Sequence, residues 1–361
     1  MVKNWLESAE AIGGVDELLA SVGLGHGRRK TLAGTWKDGE RRKGKSVEKA
    51  RGVAARHGVV TATSAVQAPG WEKYGWLRHG FSTRFGGVSA IYGEGALNLG
   101  WMKTDMEKNV AENRRRFLQV IDAENCCKLL TIRQLHSSIV HVVEAGDGAP
   151  EGRLETADGR AVLRGDGMMT DVPGVMLGVQ VGDCVPALVV DVRRRAVAVF
   201  HAGWRGTLAR IVERGIGRMR LRYGSRPEDL VAVVGPSIGA CCYSVGEEVR
   251  FEFESQFAYA PELFSEVYDS DPVRDKYPLL FLTARAPGHS NIGPQIHLDL
   301  WEANRRQLLD AGLNAKRITV VGECSACTRV DGRLKYFSHR GESGFTGRMM
   351  GVVGVAGKGS A

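Results

Sequence analysis

Three polar residues with metal-binding side chains interrupt apolar segments of this chain. They are His136 in RQLHSSIVHVV, Cys184 in GVQVGDCVPALVV and His201 in VAVFHAGWRG. Each alone has a plain explanation, either a histidine satisfied at a strand end or a cysteine filling space in the core. Together they supply two imidazoles and one thiolate, which are the three protein ligands of a catalytic zinc site whose fourth position stays open. Their wide separation in the sequence excludes a compact zinc finger and predicts ligands gathered from separate strands.

The segment HAGWRGT around His201 also predicts an anion site. Two glycines permit a tight turn after the strand, and Thr207 is a suitable cap for a following helix. Free backbone N–H groups and the guanidinium of Arg205 would then lie beside the histidine. We expect phosphate, a carboxylate or a developing oxyanion to bind there.

Other polar residues are weaker candidates for the same site. Asp183 precedes the cysteine and is either a proton carrier or a turn cap. The glycine-rich segments FSTRFGGVSAIYGEGALNLG and YFSHRGESGFTGRMMGVV offer Arg84, Asn98 and Arg340 as substrate-binding residues. Neither segment has the Gly-Lys-Ser/Thr ending of a P-loop.

The remaining cysteines predict no second metal site. Seven cysteines are an odd number, and we expect free thiols or metal ligands rather than a disulfide scaffold. Cys324 and Cys327 have the Cys-x-x-Cys spacing, but the sequence offers no second pair at metal-binding spacing. The pairs Cys126-Cys127 and Cys241-Cys242 are neighbours, which ordinarily cannot bind one metal together.

The elements that must position these residues are short buried strands alternating with amphipathic helices. Helices are indicated where apolar residues repeat every three or four positions over 208–219, 245–257 and 298–309. The alternation is too irregular for a doubly wound parallel sheet, so a mixed α/β body is predicted. The predicted strands are VMLGVQV (175–181), ALVVDV (187–192), AVAVFHA (196–202), LVAVVG (230–235) and RITVVG (317–322).

The net charge of +8 is concentrated near the N-terminus. Residues 27–56 hold eleven Lys or Arg against three acids, with one aromatic residue. This composition favours a solvated basic extension over a nucleic-acid-binding arm. We expect a largely disordered extension with a short helix over 1–69, and one catalytic domain over 70–357. The sequence contains neither an apolar run of membrane-spanning length nor a signal-peptide core, so a cytoplasmic protein is expected.

Six segments, taken in order, resemble the YfiH/YlmD family. This family was once called multicopper polyphenol oxidase or laccase domain, and it is related to human laccase domain-containing protein 1. The resemblance runs from about residue 75 to 355, with Gly182 where the family commonly has alanine and His339 where it often has arginine. The segments are RQLHSSIV, GDGMMTDVPGVMLGVQVGDCVPALVVD, AVFHAGWRGT, GPSIGACCYSVGEEV, HLDLWEANRRQLLDAGL and FSHRGESGFTGRMMGVV.

The resemblance implies a single α/β (α+β) domain, a mixed-sheet sandwich with outer helices. It assigns metal binding to His136, Cys184 and His201. The implied activities are phosphorolysis of adenosine, inosine and methylthioadenosine, and deamination of adenosine to inosine, with purine nucleosides and phosphate as partners. Zinc is the expected metal, copper(II) could replace it, and a monomer is favoured.

Two alternative functions remain open. A copper-dependent polyphenol oxidase is disfavoured because laccase chemistry needs about ten ligands with His-x-His pairs, whereas this chain has nine histidines and no such pair. A metal-independent cysteine hydrolase would use Cys184 as nucleophile and a histidine as base.

Overall fold

The computed structural model describes residues 65–147, 161–267 and 295–357. The predicted N-terminal helix and the basic segment 27–56 lie outside these residues. The strands within the described ranges are β1 (Ala65–Val66), β2 (Leu77–Ser82), β3 (Phe85–Ser89), β4 (Lys128–Thr131), β5 (Val140–Val142), β6 (Gly167–Thr170), β7 (Val175–Val181), β8 (Val185–Asp191), β9 (Ala196–Ala202), β10 (Leu230–Val234), β11 (Ser244–Val245), β12 (Phe264–Val267), β13 (Gln295–Leu298), β14 (Ile318–Val320), β15 (Arg329–Val330), β16 (Arg333–Leu334) and β17 (Met349–Val355). The α-helices are α1 (Glu107–Val120), α2 (Trp204–Leu208), α3 (Ile211–Tyr223), α4 (Glu247–Gln256) and α5 (Leu300–Asp310).

Two mixed sheets form the body of the domain. The first has the order β1-β2-β17-β7-β4, with β4 parallel to β7 and the other neighbours antiparallel. The second has the order β14-β10-β8-β9-β6-β5, with parallel pairs at both edges. A three-stranded sheet, β11-β13-β12, and a two-stranded one, β15-β16, complete the described strands.

Side-chain alternation along the strands explains the sandwich. All seven residues of β9 are buried. Val197 and Val199 join a core cluster with residues of the first sheet, such as Leu177 and Val353. Ala198 and Phe200 join a second cluster on the opposite face, which the helices cover. Successive strand residues point to opposite faces, so an uninterrupted apolar strand is what a sheet buried on both faces requires.

Helices cover both outer faces of this sandwich. Helices α3, α4 and α5 pack on the second sheet, and α1 supplies Phe117 to a cluster on the outer face of the first sheet. Helix α3 lies so close to β9 that a Cβ at Gly215 would be 2.2 Å from the Phe200 ring. Helix α5 begins at an N-cap, where Asp299 accepts a hydrogen bond from the Glu302 backbone N–H at 3.0 Å.

The predicted fold class is confirmed, with two local differences. The helix expected over 208–219 is divided into α2 and α3, because Arg210 between them has a left-handed φ of 57°. Helix α1 carries no apolar repeat that would have predicted it, since Asn113 and Arg114 occupy its buried face beside Val110 and Phe117. None of the helices in the described ranges is long and apolar enough to cross a membrane. The domain boundary at residue 70 stays a prediction.

Candidate metal centre

The structure brings His136, Cys184 and His201 together. One ligand atom from each residue lies within 4.8 Å of the others. Strands β8 and β9 are antiparallel, and Pro186 pairs with His201 in their register. Cys184, directly before β8, and His201, near the end of β9, therefore meet at one end of these two strands. His136 arrives from the loop between β4 and β5.

Asp166 fixes the orientation of His201. Its Oδ1 lies 2.8 Å from His201 Nδ1, and its backbone carbonyl accepts the His201 N–H at 2.7 Å. An ionised carboxylate can only accept, so Nδ1 carries the proton and Nε2 is left with its lone pair for a metal. Asp166 is fully buried. Its pKa is lowered to about 2: burial opposes ionisation, but hydrogen bonds from His201 and Ser137 outweigh it.

The same carboxylate shapes the loop that carries His136. Asp166 accepts the backbone N–H groups of His136 at 2.9 Å and Ser137 at 2.6 Å, and also the Ser137 hydroxyl at 2.6 Å. These bonds hold His136 in a left-handed conformation with φ of 61°, which is uncommon for a residue other than glycine. Such strain persists only where surrounding contacts enforce it. Asp166 thus positions two of the three ligands.

Gly203 allows the three ligands to approach one another. It follows β9 and precedes α2. A Cβ at this position would lie 2.8 Å from Cys184 Sγ and 3.3 Å from His136 Cδ2. Glycine is therefore required here for space, and its φ of −67° shows that backbone strain is not the reason.

With no metal bound, Cys184 and His201 favour a thiolate–imidazolium pair, and a metal ion would displace the proton from His201 Nε2. Burial opposes ionisation of Cys184, but the charge of His201 and hydrogen bonds from both histidines lower the pKa of the thiol. Burial likewise opposes protonation of His201, but the Cys184 thiolate and Asp166 raise its pKa. The thiolate is the form of cysteine that binds metals. Two imidazoles and a thiolate at these separations fit a single zinc ion, and copper also binds nitrogen and sulfur ligands.

A cavity of about 550 Å³ adjoins the centre, and all three ligand residues line it. Its volume lies within the range of small-molecule sites. The remaining lining residues are mostly polar or positively charged: Ile132, Arg133, Gln134, Gln180, Gly182, Asp183, Tyr243, His339, Arg340 and Arg348.

The arginines of this cavity keep their charge available. Arg340 donates to the backbone carbonyl and hydroxyl of Ser244 and stacks on the ring of Tyr243. Arg348 donates to the backbone carbonyls of Thr346 and Gly347. These are neutral partners, so the cavity wall is suited to an anionic group.

The other predicted site residues have different positions. Arg84 forms an ion pair with Glu342 at 3.0 Å, and Asn98 is fully buried and bonded to Asp105. Arg205 is exposed and stacks on Trp204. None of these three is among the residues that line the cavity.

Asp183 lines the cavity and is held by hydrogen bonds. Its carboxylate accepts the hydroxyl groups of Ser325 and Ser338 and the backbone N–H of Arg340, each at 2.6 Å. Its φ is 98°. This geometry orders the segments around the cavity, and a role of Asp183 in proton transfer stays a prediction.

Sequence reasoning missed Asp166 and several residues of the cavity wall. The one available signal for Asp166 was an acidic residue directly before the buried strand β6. Arg133 and Gln180 carried no motif that would have identified them.

Comparison with known proteins identifies the family. The family described as Multi-copper polyphenol oxidoreductase laccase matches residues 78–356. The chain belongs to this family. The match covers the strands and loops that hold all three ligands.

Proteins similar to this chain carry two kinds of name. Purine nucleoside phosphorylase YlmD of Geobacillus stearothermophilus is 31% identical over 296 residues, which is 78% of this chain and 95% of the relative. Adenosine deaminase RL5, from an unknown prokaryotic organism, is 34% identical over 200 residues, or 55% of this chain and 66% of the relative. The crystal structure of the Bacillus licheniformis hypothetical protein YfiH has a TM-score of 0.64 and 29% identity, and the match covers 81% of this chain and 97% of that one.

Proposed function

We propose that this protein is a zinc-dependent enzyme of purine nucleosides. It deaminates adenosine to inosine and cleaves adenosine, inosine and methylthioadenosine with phosphate. The proposal depends on one observation, that the side chains of a three-ligand centre line a cavity with arginines in its wall. The names of its relatives support the same two reactions.

The protein's part at the metal is to present three ligands in fixed orientation. A zinc ion held by them supplies Lewis acidity and a water of lowered pKa. Asp166 keeps His201 in the tautomer that leaves Nε2 free for the metal. It also holds the backbone of His136, so both imidazoles are oriented before a substrate enters.

Phosphorolysis requires an anion site near the sugar. We assign this site to Arg133, Arg340 and Arg348 in the cavity wall. Two or three guanidinium groups can hold a phosphate dianion through paired hydrogen bonds. Tyr243 offers an aromatic face in the same cavity for the purine.

Copper-dependent oxidation of phenols is the less favoured alternative. The His136, Cys184 and His201 centre has three ligands, and the sequence has no His-x-His pair from which a multicopper cluster could be built. Copper in place of zinc would therefore give a single bound ion.

A cysteine hydrolase is a second candidate with its own structural support. Cys184 and His201 have ligand atoms within 4.8 Å, and Asp166 bonds the far nitrogen of that histidine. Cys184 would be the nucleophile, His201 the base and Asp166 the acid that orients the base, an arrangement found in cysteine hydrolases. A chelator separates the two functions, since it would remove zinc-dependent activity and leave a hydrolase active.

The decisive experiment uses full-length protein of known zinc content. It is incubated with adenosine, with and without phosphate, and the bases, inosine and ribose 1-phosphate are separated. We expect inosine without phosphate, and adenine with ribose 1-phosphate when phosphate is present. Cys184→Ala and His201→Ala should abolish both, while Cys126→Ala and His141→Ala, outside the centre, should retain them. No purine product, or full activity in Cys184→Ala, would overturn the proposal.

A further inference from the structure

A second cluster of metal-binding side chains lies in two turns outside the proposed centre. Cys241 and Cys242 lie in the turn between β10 and β11, and Cys324 and Cys327 flank the turn between β14 and β15. The sulfur atoms of all four cysteines lie within 4.8 Å of one another. The sequence showed no partner pair for Cys324 and Cys327 at metal-binding spacing, and the fold supplies a second pair from elsewhere in the chain.

Parallel pairing of β10 and β14 brings the two turns together. Val234 at the end of β10 pairs with Val320 at the end of β14. The two segments that follow these strands run side by side from the same end of the sheet, and an isolated β-bridge joins Ser237 to Cys324. Two further backbone bonds connect the segments, from Ser237 N–H to Glu323 and from Ser325 N–H to Ser237. The arrangement of the cysteines is thus fixed by the sheet.

The sulfur separations fit four ligands of one small ion. Zn–S bonds of ~2.3 Å place the sulfurs of a tetrahedral site about 3.8 Å apart. Cys241 Sγ and Cys327 Sγ are 3.6 Å apart, which is too far for a disulfide of about 2.05 Å. In iron–sulfur clusters the four cysteines are divided among two or four iron atoms, so their sulfurs cannot all lie this close together.

The sulfur of Cys324 accepts a backbone hydrogen bond. The N–H of Gly239 donates to Cys324 Sγ at 3.3 Å. Such N–H···S bonds orient and tune metal-bound thiolates. Gly239 also allows close approach, because a Cβ there would lie 3.3 Å from Cys241 Sγ and 2.7 Å from the Trp301 ring.

We propose that Cys241, Cys242, Cys324 and Cys327 bind one structural zinc ion, separate from the His136, Cys184 and His201 centre. Four thiolates close the coordination sphere and leave no position for a substrate. The ion would join the two turns, with Cys241 and Cys327 exposed and Cys324 buried.

This second ion would stabilise the wall of the cavity. Ser325, between the paired cysteines, donates its hydroxyl to Asp183 at 2.6 Å. Ile238, in the other turn, donates its backbone N–H to the Asp183 carbonyl at 2.9 Å. Both turns therefore contact the residue that precedes Cys184. Loss of the ion should loosen this contact and lower thermal stability.

Metal content of the full chain tests the proposal. Protein is purified anaerobically with a phosphine reductant after expression with zinc, and zinc is measured by mass spectrometry. We expect two zinc ions per parent chain and one in the Cys184→Ala/His201→Ala variant. Cobalt(II) added to metal-free protein of that variant should give the intense sulfur-to-cobalt absorption of a tetrathiolate site. Cys327→Ser in the same background should remove that absorption.

A matched pair of neighbouring cysteines provides the control. Cys126 and Cys127 have sulfurs 3.7 Å apart, but no second pair lies beside them in the part of the chain that the structure describes. Cys126→Ser/Cys127→Ser should keep both zinc ions, which separates the cluster from general thiol loss. If Cys327→Ser fails to fold, the cobalt spectrum of the Cys184→Ala/His201→Ala variant still decides the question.

Two results would overturn the proposal. One is a Cys184→Ala/His201→Ala variant that folds, has reduced thiols and binds neither zinc nor cobalt. The other is a Cys241–Cys327 disulfide in the anaerobically purified parent. Neither result depends on nucleoside turnover, so the structural zinc site can be disproved without affecting the proposed function, and the proposed function without affecting the zinc site.

Discussion

The carboxylate of Asp166 lies 2.8 Å from Nδ1 of His201 and is completely buried. Because Asp166 also accepts the backbone N–H groups of residues 135–137, one side chain holds a ligand from β9 and the loop that carries His136. The centre is therefore preorganised by a residue that binds no metal itself. Comparable carboxylate–histidine pairs raise the basicity of the ligating nitrogen.

Replacement of this carboxylate should weaken metal binding. Asp166→Asn keeps the shape of the side chain but loses its charge and one acceptor oxygen. We expect zinc affinity to fall about 10- to 100-fold, as for other outer partners of metal ligands. Competition with a chromogenic chelator measures the affinity. Asp171→Asn, at an exposed carboxylate just after β6, should match the parent, and unchanged affinity in Asp166→Asn would contradict the role assigned to Asp166.

Addition of one methyl group should separate the three ligands. Gly203→Ala places a Cβ 2.8 Å from Cys184 Sγ, so the sulfur or the backbone must move. Overpacking of this kind costs about 1–3 kcal/mol, which corresponds to roughly 5- to 150-fold in zinc affinity. Zinc titration monitored by calorimetry measures the loss. Gly217→Ala on α3 is the control, because a Cβ there meets no atom within 4 Å; equal zinc affinity in both variants would argue against the close approach.

The sequence singled out His136, Cys184 and His201, which the fold brings together, and the main strands, because both depend on local signals. Uninterrupted apolar runs give the span of β7 and β9 as the structure has them, and a polar residue in such a run is easily noticed. Asp166 lacked such a signal, since its importance comes from His201, 35 residues away. The four-cysteine cluster likewise depends on the parallel pairing of β10 with β14, which the spacing of the cysteines does not encode.

The arginines show why residue type alone does not place a side chain in a site. Arg84 and Arg205 lie in the motifs that predicted an anion site, but their guanidinium groups contact Glu342 and Trp204. Arg133 was not assigned to the site from the sequence, and it lines the cavity. Local partners decide where a long side chain points, and those partners are supplied by the tertiary fold.

A buried histidine distant from the metal centre should make the fold sensitive to acid. His79 accepts the backbone N–H of Ala68 at 3.0 Å, and burial, partly offset by Glu72, lowers its pKa from 6.5 to about 4. As the pH falls, the unfolded chain binds this proton at a higher pH than the folded chain does. His79 therefore does not reduce the free energy of unfolding above pH 6.5, and that free energy declines as the pH falls toward 4. The loss is roughly 3 kcal/mol.

Urea unfolding at pH 7 and pH 4.5 measures this dependence. His79→Gln retains an acceptor for Ala68 and cannot gain the proton, so the difference between the two pH values should be smaller than in the parent. His141→Gln, whose histidine bonds the Arg164 carbonyl, should keep the parental difference. Equal acid loss in the parent and His79→Gln would exclude His79 as its cause.

Loss of a cavity arginine should affect phosphate use more than deamination. Arg133 and Arg340 line the cavity, and a hydrogen bond to a charged group contributes about 1.5–3 kcal/mol. Arg133→Ala and Arg340→Ala should therefore raise the KM for phosphate about 10- to 100-fold. Deamination of adenosine, which uses no phosphate, should change much less in Arg133→Ala.

Arg205→Ala removes the same charge from an exposed residue stacked on Trp204 and should leave both reactions within about twofold of the parent. Initial rates at varied phosphate measure the effect, and a larger rise in KM for Arg205→Ala than for Arg133→Ala would move the anion site to the turn after His201.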